Sequence, residues 1–419
     1  MKIIKSKKHS KKDTTNDDVL ILIKNKFKSF NRSTFKTTEV IFLIIVTAII
    51  GIIIGTFLNK NNIQTDEYLG EIIDNYNYIN ENYYETVDKN KFISGAVEGM
   101  LSSLDDEYSE LLGEDNSSFY RNLEGSYDGI GIEIYNDENG NIVVLGVIDD
   151  SPALKAGIEK GDIIKKIDDK SFENTNIKEL TNYISNSEKK EYDVVVSRNN
   201  EEISLKVTKE NVTIKSVSSK IIEKENRKIG YIYISIFSNT TPSQFKKALT
   251  DLEKENIDSL IIDVRENTGG HLTTAVSLLS NLLDRSKVIY QIEKNNKKVK
   301  YYSNGYKTKN YPIVVIQNKN SASASEILSA ALKESYGATI VGETSYGKGT
   351  VQELNTLSNG DKYKFTTKKW LTPSGKWINK VGVKPDINVS LDDNYYNNPN
   401  DDNDNQLQAA INSLLKKSN

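Results

Sequence analysis

The spacing of hydrophobic positions changes several times along the chain, and each change marks an element. Residues 40–58 read VIFLIIVTAIIGIIIGTFL without a charge, close to the ~20 apolar residues a helix needs to cross a bilayer. Between 66 and 120 apolar side chains recur three and four apart, through Leu69, Ile72, Ile73, Tyr76, Ile79 and Tyr83, then Phe92, Ala96, Met100 and Leu101. That spacing predicts helices. From 125 the period falls towards two. Residues 129–134 form a glycine-bearing turn entering a strand, with further strands at 143–148, 193–198 and 202–206. Beyond 214 strands and helices alternate: strands at 229–237, 260–264, 312–316, 338–342 and 350–354, helices at 242–254, 272–283 and 325–335. Alternation of this kind predicts an α/β layered core. After a polar, flexible stretch at 394–405, Leu407, Ala410, Ile411, Leu414 and Leu415 predict a short docking helix.

Charge adds a direction to this plan. The net charge is −3 with 27% charged residues, so no global basic character points to nucleic acid. Lysines crowd the N-terminus instead (Lys2, Lys5, Lys7, Lys8, Lys11 and Lys12 among them). Basic residues before an apolar span keep that end in the cytoplasm, which places everything after Asn59 outside. A cleaved signal peptide is the rival reading. The apolar run is long for one and no small-x-small site follows, so a retained anchor is expected. The chain has no cysteine, which excludes disulfides, a thiol nucleophile and thiolate metal sites.

Candidate chemistry concentrates between Asn320 and Gln352. Ser321, Ser323 and Ser325 stand among alanines before Glu326, and Gly347-Lys348-Gly349 follows. A serine nucleophile needs a base, and a lysine serves if burial keeps its amine neutral. The only histidines are His9, in the tail, and His271, so the base is His271 or a lysine. Asp263, His271 and Ser323 do follow the chain order of the subtilisin triad. Ser323-x-x-Glu326 is also a capping box, and from the residues alone cap and nucleophile stay level. Lys348 would otherwise be an exposed loop lysine, and Gln352 a polar edge-strand residue. Gly342-x-x-x-x-Gly347-Lys348 approaches a P-loop, but Gly349 stands where Ser or Thr would hold magnesium, and strand-like residues follow.

Taken together, Asp263-Val264-Arg265-Glu266-Asn267-Thr268-Gly269-Gly270, Ser321 to Glu326, Gly347 to Gln352, Thr372-Pro373-Ser374-Gly375 and Gly382-Val383-Lys384-Pro385-Asp386 resemble, in order, the C-terminal processing peptidases. These are tail-specific proteases with a serine–lysine dyad and a PDZ domain, and the likeness runs from about 67 to 415. It implies an α/β protease core of the crotonase or Clp-protease kind with an inserted β-rich PDZ domain. The expected division is a basic tail at 1–36, a membrane helix at 37–58, a helical segment at 59–120, the PDZ domain at 121–212, the core at 213–395, and a linker with a C-terminal helix at 396–419.

The resemblance assigns Ser323 as nucleophile, Lys348 as base and Gln352 as the residue orienting the amine. It draws the oxyanion hole from backbone N–H groups of Gly269, Gly270 and Ala324, and the peptide cradle from Ile130, Gly131 and Ile132. Two positions depart from the family: Thr268, where proline is common, and His271, where the residue is usually apolar. The implied activity is that of a membrane-anchored serine endopeptidase cleaving polypeptides near free C-termini, with the PDZ domain feeding or gating the site. No metal, cofactor or nucleic acid is implied. The family's helical segment often supports a homodimer, and a regulatory protein partner stays open. A non-catalytic peptide-binding scaffold is the alternative from another class, and intact Ser323, Lys348 and Gln352 argue against it.

Overall fold

The computed structural model of the chain describes residues 36–60, 67–113 and 117–416. Apart from Lys36, the expected basic tail lies outside the described residues. Two compact units divide the chain, Met1–Asp88 and Lys89–Asn419. The first holds helix α1 (Thr37–Lys60) and helix α2 (Glu67–Asn82). Among the described residues α1 is the one helix long and apolar enough to cross a membrane.

The second unit begins with α3 (Lys89–Ser102), β1 (Glu110–Leu112), α4 (Ser117–Glu124) and β2 (Ser126–Gly129). A β-rich domain follows: β3 (Ile132–Asn136), β4 (Ile142–Val147), α5 (Pro152–Ala156), β5 (Ile163–Ile167), β6 (Lys170–Ser171), α6 (Ile177–Ser185), β7 (Glu191–Arg198), β8 (Glu201–Thr208) and β9 (Glu210–Thr213). Its antiparallel sheet runs β3-β4-β5-β7-β8, leaving β3 at one edge, while β2 pairs β9 and brings the domain's entry and exit together. Alternate residues of the strands, among them Ile142, Val144, Val194 and Val196, close over Phe172 and Leu180 as its core. Local sequence fixes α5: Ser151 accepts from Leu154 N at the N-cap, Pro152 opens the helix, and Gly157 ends it at φ +89°.

The remaining elements are β10 (Val217–Lys224), β11 (Arg227–Ile234), α7 (Thr241–Lys254), β12 (Ser259–Asp263), α8 (Leu272–Leu279), β13 (Val288–Lys294), β14 (Lys297–Tyr302), β15 (Ile313–Gln317), α9 (Ala324–Ala331), β16 (Thr339–Gly342), β17 (Thr350–Thr356), β18 (Lys362–Leu371), β19 (Ile387–Asn388), α10 (Asp393–Asn397) and α11 (Asn405–Lys416). A single π-helical turn, Leu332–Tyr336, continues α9.

Strands β11, β12, β15, β16 and β19 are parallel neighbours; helices α7, α8 and α9 lie in the first three of the crossovers that parallel strands require, and β17 and β18 lie in the last. The strands are apolar on both faces because both are covered. Leu260, Ile262, Ile313 and Val315 pack with the side of α7, α8 and α9. Ile261, Val314, Ile316 and Val341 meet Leu407, Ala410, Ile411 and Leu414 of α11 on the other side. A second sheet runs β1-β18-β13-β14 with β17 on β18.

Candidate active site

The segments carrying the candidate residues leave the C-terminal ends of β12 and β15, where ligands gather on open parallel sheets. After β15 the chain turns through Asn318 into three serines with different surroundings. Ser321 is buried and donates to Val264 O at 2.8 Å; Ser325 is buried and donates to Asn267 O at 2.8 Å. Ser323 is half-buried and lines a cavity of about 550 Å³. Its backbone lies at φ +53°, ψ −113°, a conformation a β-carbon disfavours by about 1–3 kcal/mol. Ser323 and Glu326 form a capping box, with Ser323 N donating to Oε2 at 2.9 Å. Of the three hydroxyls, that of Ser323 is the one not donated to a backbone carbonyl.

Lys348 reaches the same cavity from the loop between β16 and β17. Its flanking glycines allow the loop to press against residues 377–382. A Cβ on Gly349 would lie 2.7 Å from Asn379 N, and one on Gly347, at φ +93°, 2.9 Å from Val381 N. One buried carboxylate joins this loop to the serine. Glu326 Oε1 accepts from Ser345 Oγ (2.6 Å) and Gly347 N (2.7 Å), and Oε2 from Lys348 N (2.9 Å) as well as Ser323 N. Burial pushes the Glu326 carboxyl up and these donors pull it back.

Burial is also the largest influence on the Lys348 amine. It lowers the pKa from the ordinary 10.5, the Lys364 charge lowers it further, and Asp106, Glu107 and Glu110 oppose both. The Nζ stands 4.4 Å from the centre of the Tyr108 ring. Among the described residues no hydrogen bond joins it to Ser323 Oγ, and both residues line the cavity. Gln352 lines that cavity too. Its amide nitrogen donates to Thr350 Oγ1 (3.0 Å) and Thr366 Oγ1 (2.9 Å), so Oε1 is the end left to accept from an amine.

The three backbone donors expected to form an oxyanion hole separate into two kinds. Gly269 N already donates to Asn267 Oδ1 at 2.9 Å, so its N–H is engaged. No described residue accepts from the N–H of Gly270 or of Ala324. The glycines have a second role. Gly269 lies at φ +105° with its Cβ direction 2.8 Å from both Ser323 Cβ and Ala322 O, and a Cβ on Gly270 would meet Phe237 O at 2.2 Å. Asn267 holds this crossing together: its side chain donates to Ile234 O (2.8 Å) and its carbonyl accepts from Ala322 N (3.0 Å).

His271 lines the cavity with Nε2 buried and unpartnered. Asp263 does not orient it. That carboxylate accepts from Arg265 Nε at 3.0 Å and from the Tyr231 hydroxyl at 2.7 Å, within a cluster that also holds Asp404. The residues of the subtilisin-like order are therefore not linked. The P-loop likeness fails as well, because Lys348 leads into strand β17, leaving no helix N-terminus for phosphate.

Ile130, Gly131 and Ile132 line a separate cavity of about 650 Å³ with Leu180, Thr181 and Ile184 of α6. Ile148 N donates to Gly131 O, and Ile132 stands opposite Val147. In that antiparallel register the Ile132 N–H points to the open edge of the sheet. Gly131, at φ +86°, has no room for a Cβ, which would lie 2.3 Å from Ser151 Cβ.

Sequence reasoning missed three contributors: Asn267 as the link between segments, Glu326 as the anchor of both loops, and Tyr108 against the lysine. Only Glu326 had a signal, the capping-box spacing.

With this geometry in hand, likeness to known proteins can be stated. The family model for peptidase family S41 matches residues 228–389, that for the activating protease CtpB N-terminal domain matches 56–116, and that for the PDZ domain matches 129–208. Carboxy-terminal processing protease CtpB of Bacillus subtilis (strain 168) is 36% identical over 340 residues, covering 80% of this chain and 71% of that protein. Carboxy-terminal processing protease CtpA of the same organism is 32% identical over 366 residues, 85% of this chain and 78% of that one. Among solved structures, a photosystem II D1 C-terminal processing protease aligns at 28% identity with a TM-score of 0.46, over 74% of this chain and 84% of that one.

Proposed function

The chain belongs to the carboxy-terminal processing proteases of peptidase family S41, serine proteases that here carry a PDZ domain, and on that premise we propose that it cleaves polypeptides with a Ser323–Lys348 dyad. Ser323 Oγ attacks the scissile carbonyl carbon while neutral Lys348 Nζ takes its proton. The oxyanion formed receives the N–H groups of Gly270 and Ala324, the two expected donors with no internal acceptor. As the C–N bond breaks, the Lys348 ammonium returns the proton to the leaving amine. A water then attacks the Ser323 ester with Lys348 again as base, releasing the acid and restoring the serine. Gln352 Oε1 accepts from the ammonium between these transfers.

The observation that carries this reading is the difference among the serines: Ser321 and Ser325 are committed to carbonyls, and Ser323 shares its cavity with a half-buried lysine of lowered pKa. The test is turnover of an unstructured polypeptide by the full chain in mild detergent. S323A and K348A should be inactive and H271A active. An inactive H271A that still folds would move the base to His271.

The PDZ domain, taken as 121–212 because the β2–β9 ribbon closes it, binds a substrate C-terminus as an added strand on β3, with Ile130 to Ile132 at its carboxylate. It thereby feeds or gates the core. The open β3 edge beside α6 supports this, and a C-terminally amidated peptide should bind far more weakly than the free acid. The strand–helix alternation around the site supports a crotonase-like core. Helix α1 is a membrane anchor with the lysine-rich end in the cytoplasm. Because the chain has no cysteine, single-cysteine variants S6C and S187C report topology cleanly: an impermeant maleimide should label S187C on intact cells and leave S6C unlabelled.

A further inference from the structure

Lys348, which lines the catalytic cavity, rests against a residue from outside the protease core, on the segment that precedes the PDZ domain. Between α3 and β1 the chain makes a tight turn in which Ser109 N donates to Asp106 O at 3.0 Å and Ser109 Oγ to Asp106 Oδ2 at 2.5 Å. That hydroxyl also accepts from Thr366 N at 3.0 Å. Strand β1 then pairs with β18 through Glu110 opposite Lys364, and the same two side chains form an ion pair at 2.7 Å. The turn is thus fastened to β18 by the two residues that follow Tyr108. The result is a half-buried aromatic ring whose centre lies 4.4 Å from Lys348 Nζ.

We propose that Tyr108 is a positioning residue for the general base: its ring holds the Lys348 amine at the cavity, so the site is complete only when the segment from Asp106 to Leu112 is docked on β18. This rests on the reading of Lys348 as the base. A cation lying over an aromatic face within ~6 Å is attracted by the ring's quadrupole, and the neutral amine is held in the same place by packing. The charged and titratable groups around the amine are Lys364 on β18, Asp106, Glu107 and Glu110 on the docking segment, Glu326 on α9, Tyr346 on the lysine's own loop and His271 at the start of α8. Lys364 is taken up by Glu110, and Glu326 is turned to three backbone donors and the Ser345 hydroxyl. The ring is the contact that fixes where Nζ lies.

The ring also couples the site to the rest of the chain. Tyr108 is separated from the PDZ domain by β1 and α4 only, so a movement that lifts β1 from β18 removes the lysine's support without touching Ser323. The segment is therefore part of the catalytic apparatus rather than a spacer.

The experiment is the pH dependence of kcat and kcat/KM for the full chain in mild detergent, for wild type, Y108F, Y108L and K348A. Y108F keeps the ring and should follow wild type. Y108L keeps apolar volume but loses the quadrupole. Its plateau kcat should fall about tenfold with KM unchanged, and its ascending limb should move to lower pH by about half a unit, the size of a cation–π contact. Superimposable Y108L and wild-type profiles would overturn the proposal. So would a Y108F profile as impaired as that of Y108L, or an effect confined to KM, which would make Tyr108 a substrate contact. Should Y108L not fold, judged by its unfolding transition, Y108M replaces it with the same expectations. An active K348A would instead overturn the base assignment, whatever Tyr108 does.

Discussion

Arg265 offers the sharpest stability prediction, because the structure shows what each of its bonds would leave behind. The side chain lies two residues beyond β12, on the segment leading to Gly269 and Gly270. Its Nε meets Asp263 Oδ2 at 2.9 Å, its NH1 meets Asp404 Oδ1 at 3.0 Å and Gln406 Oε1 at 3.1 Å, and its NH2 meets Asp404 Oδ2 at 2.7 Å. Asp263 and Asp404 are only 1% and 4% exposed. An R265M variant preserves much of the side-chain volume but strands two buried carboxylates.

Removing one partner of a buried pair typically costs about 3–5 kcal/mol. Here the two carboxylates keep some support: Asp263 retains the Tyr231 hydroxyl and Arg265 N, and Asp404 retains Leu407 N. With two anions stranded and each partly held, a loss within that range of about 3–5 kcal/mol is expected, on the order of 10 °C in Tm. The deficit should shrink in R265M/D263N/D404N, where no charge is stranded. Thermal unfolding of the full chain in mild detergent measures this. A Tm for R265M within about 2 °C of wild type at neutral pH would refute the reasoning, as would a triple variant no better than R265M.

Other expectations follow from the site itself. S325A loses one buried hydroxyl–carbonyl bond, about 1 kcal/mol, S321A loses in addition the bond its hydroxyl accepts from Asn318 N and should cost more, and both should still cleave substrate. S323G should be inactive yet slightly more stable than wild type, since glycine accepts φ +53° without strain, a difference visible in Tm. Because burial lowers the Lys348 pKa and the neutral amine is the proposed base, kcat/KM should rise with pH along a limb centred below 10.5, and K348R, which stays protonated, should show no activity at any pH. G131A places a Cβ against Ser151 at φ +86° and should abolish binding of free C-terminal peptides, measured by fluorescence anisotropy, while cleavage chemistry at Ser323 persists.

Much of this arrangement was legible in the chain. The runs at Leu260 to Ile262 and Ile313 to Ile316 are apolar on both faces because helices cover both, and such runs announce buried parallel strands. The helix expected at 272–283 ends at Leu279, where Ser280 and Asn281 turn their side chains back onto the backbone. Strands β14 and β18 gave no signal. KKVKYY in β14 is exposed throughout, and KYKFTTKKWL in β18 is half-buried from Tyr363 to Lys368 whatever the residue type, so neither shows the apolar period by which strands are recognised. The stretch at 394–405, expected to be featureless, includes α10, capped by Asp392.

Within the site, serine, lysine and glycines stood out through their local spacing. What pattern could not reveal were contacts made across the fold: the Asn267 carbonyl accepting from Ala322 N, and Tyr108 brought onto Lys348 from 240 residues earlier in the chain by the pairing of β1 with β18.

The central claim is that Ser323 is the nucleophile and Lys348 the group that activates it. The most direct measurement is covalent labelling of the full chain with a fluorophosphonate, followed by mass spectrometry of the peptide spanning 320–333. The account predicts one adduct, on Ser323, which is lost in S323A and strongly slowed in a folded K348A, while H271A labels at the wild-type rate. An adduct on Ser321 or Ser325, or labelling of Ser323 that ignores Lys348 and requires His271, would contradict it.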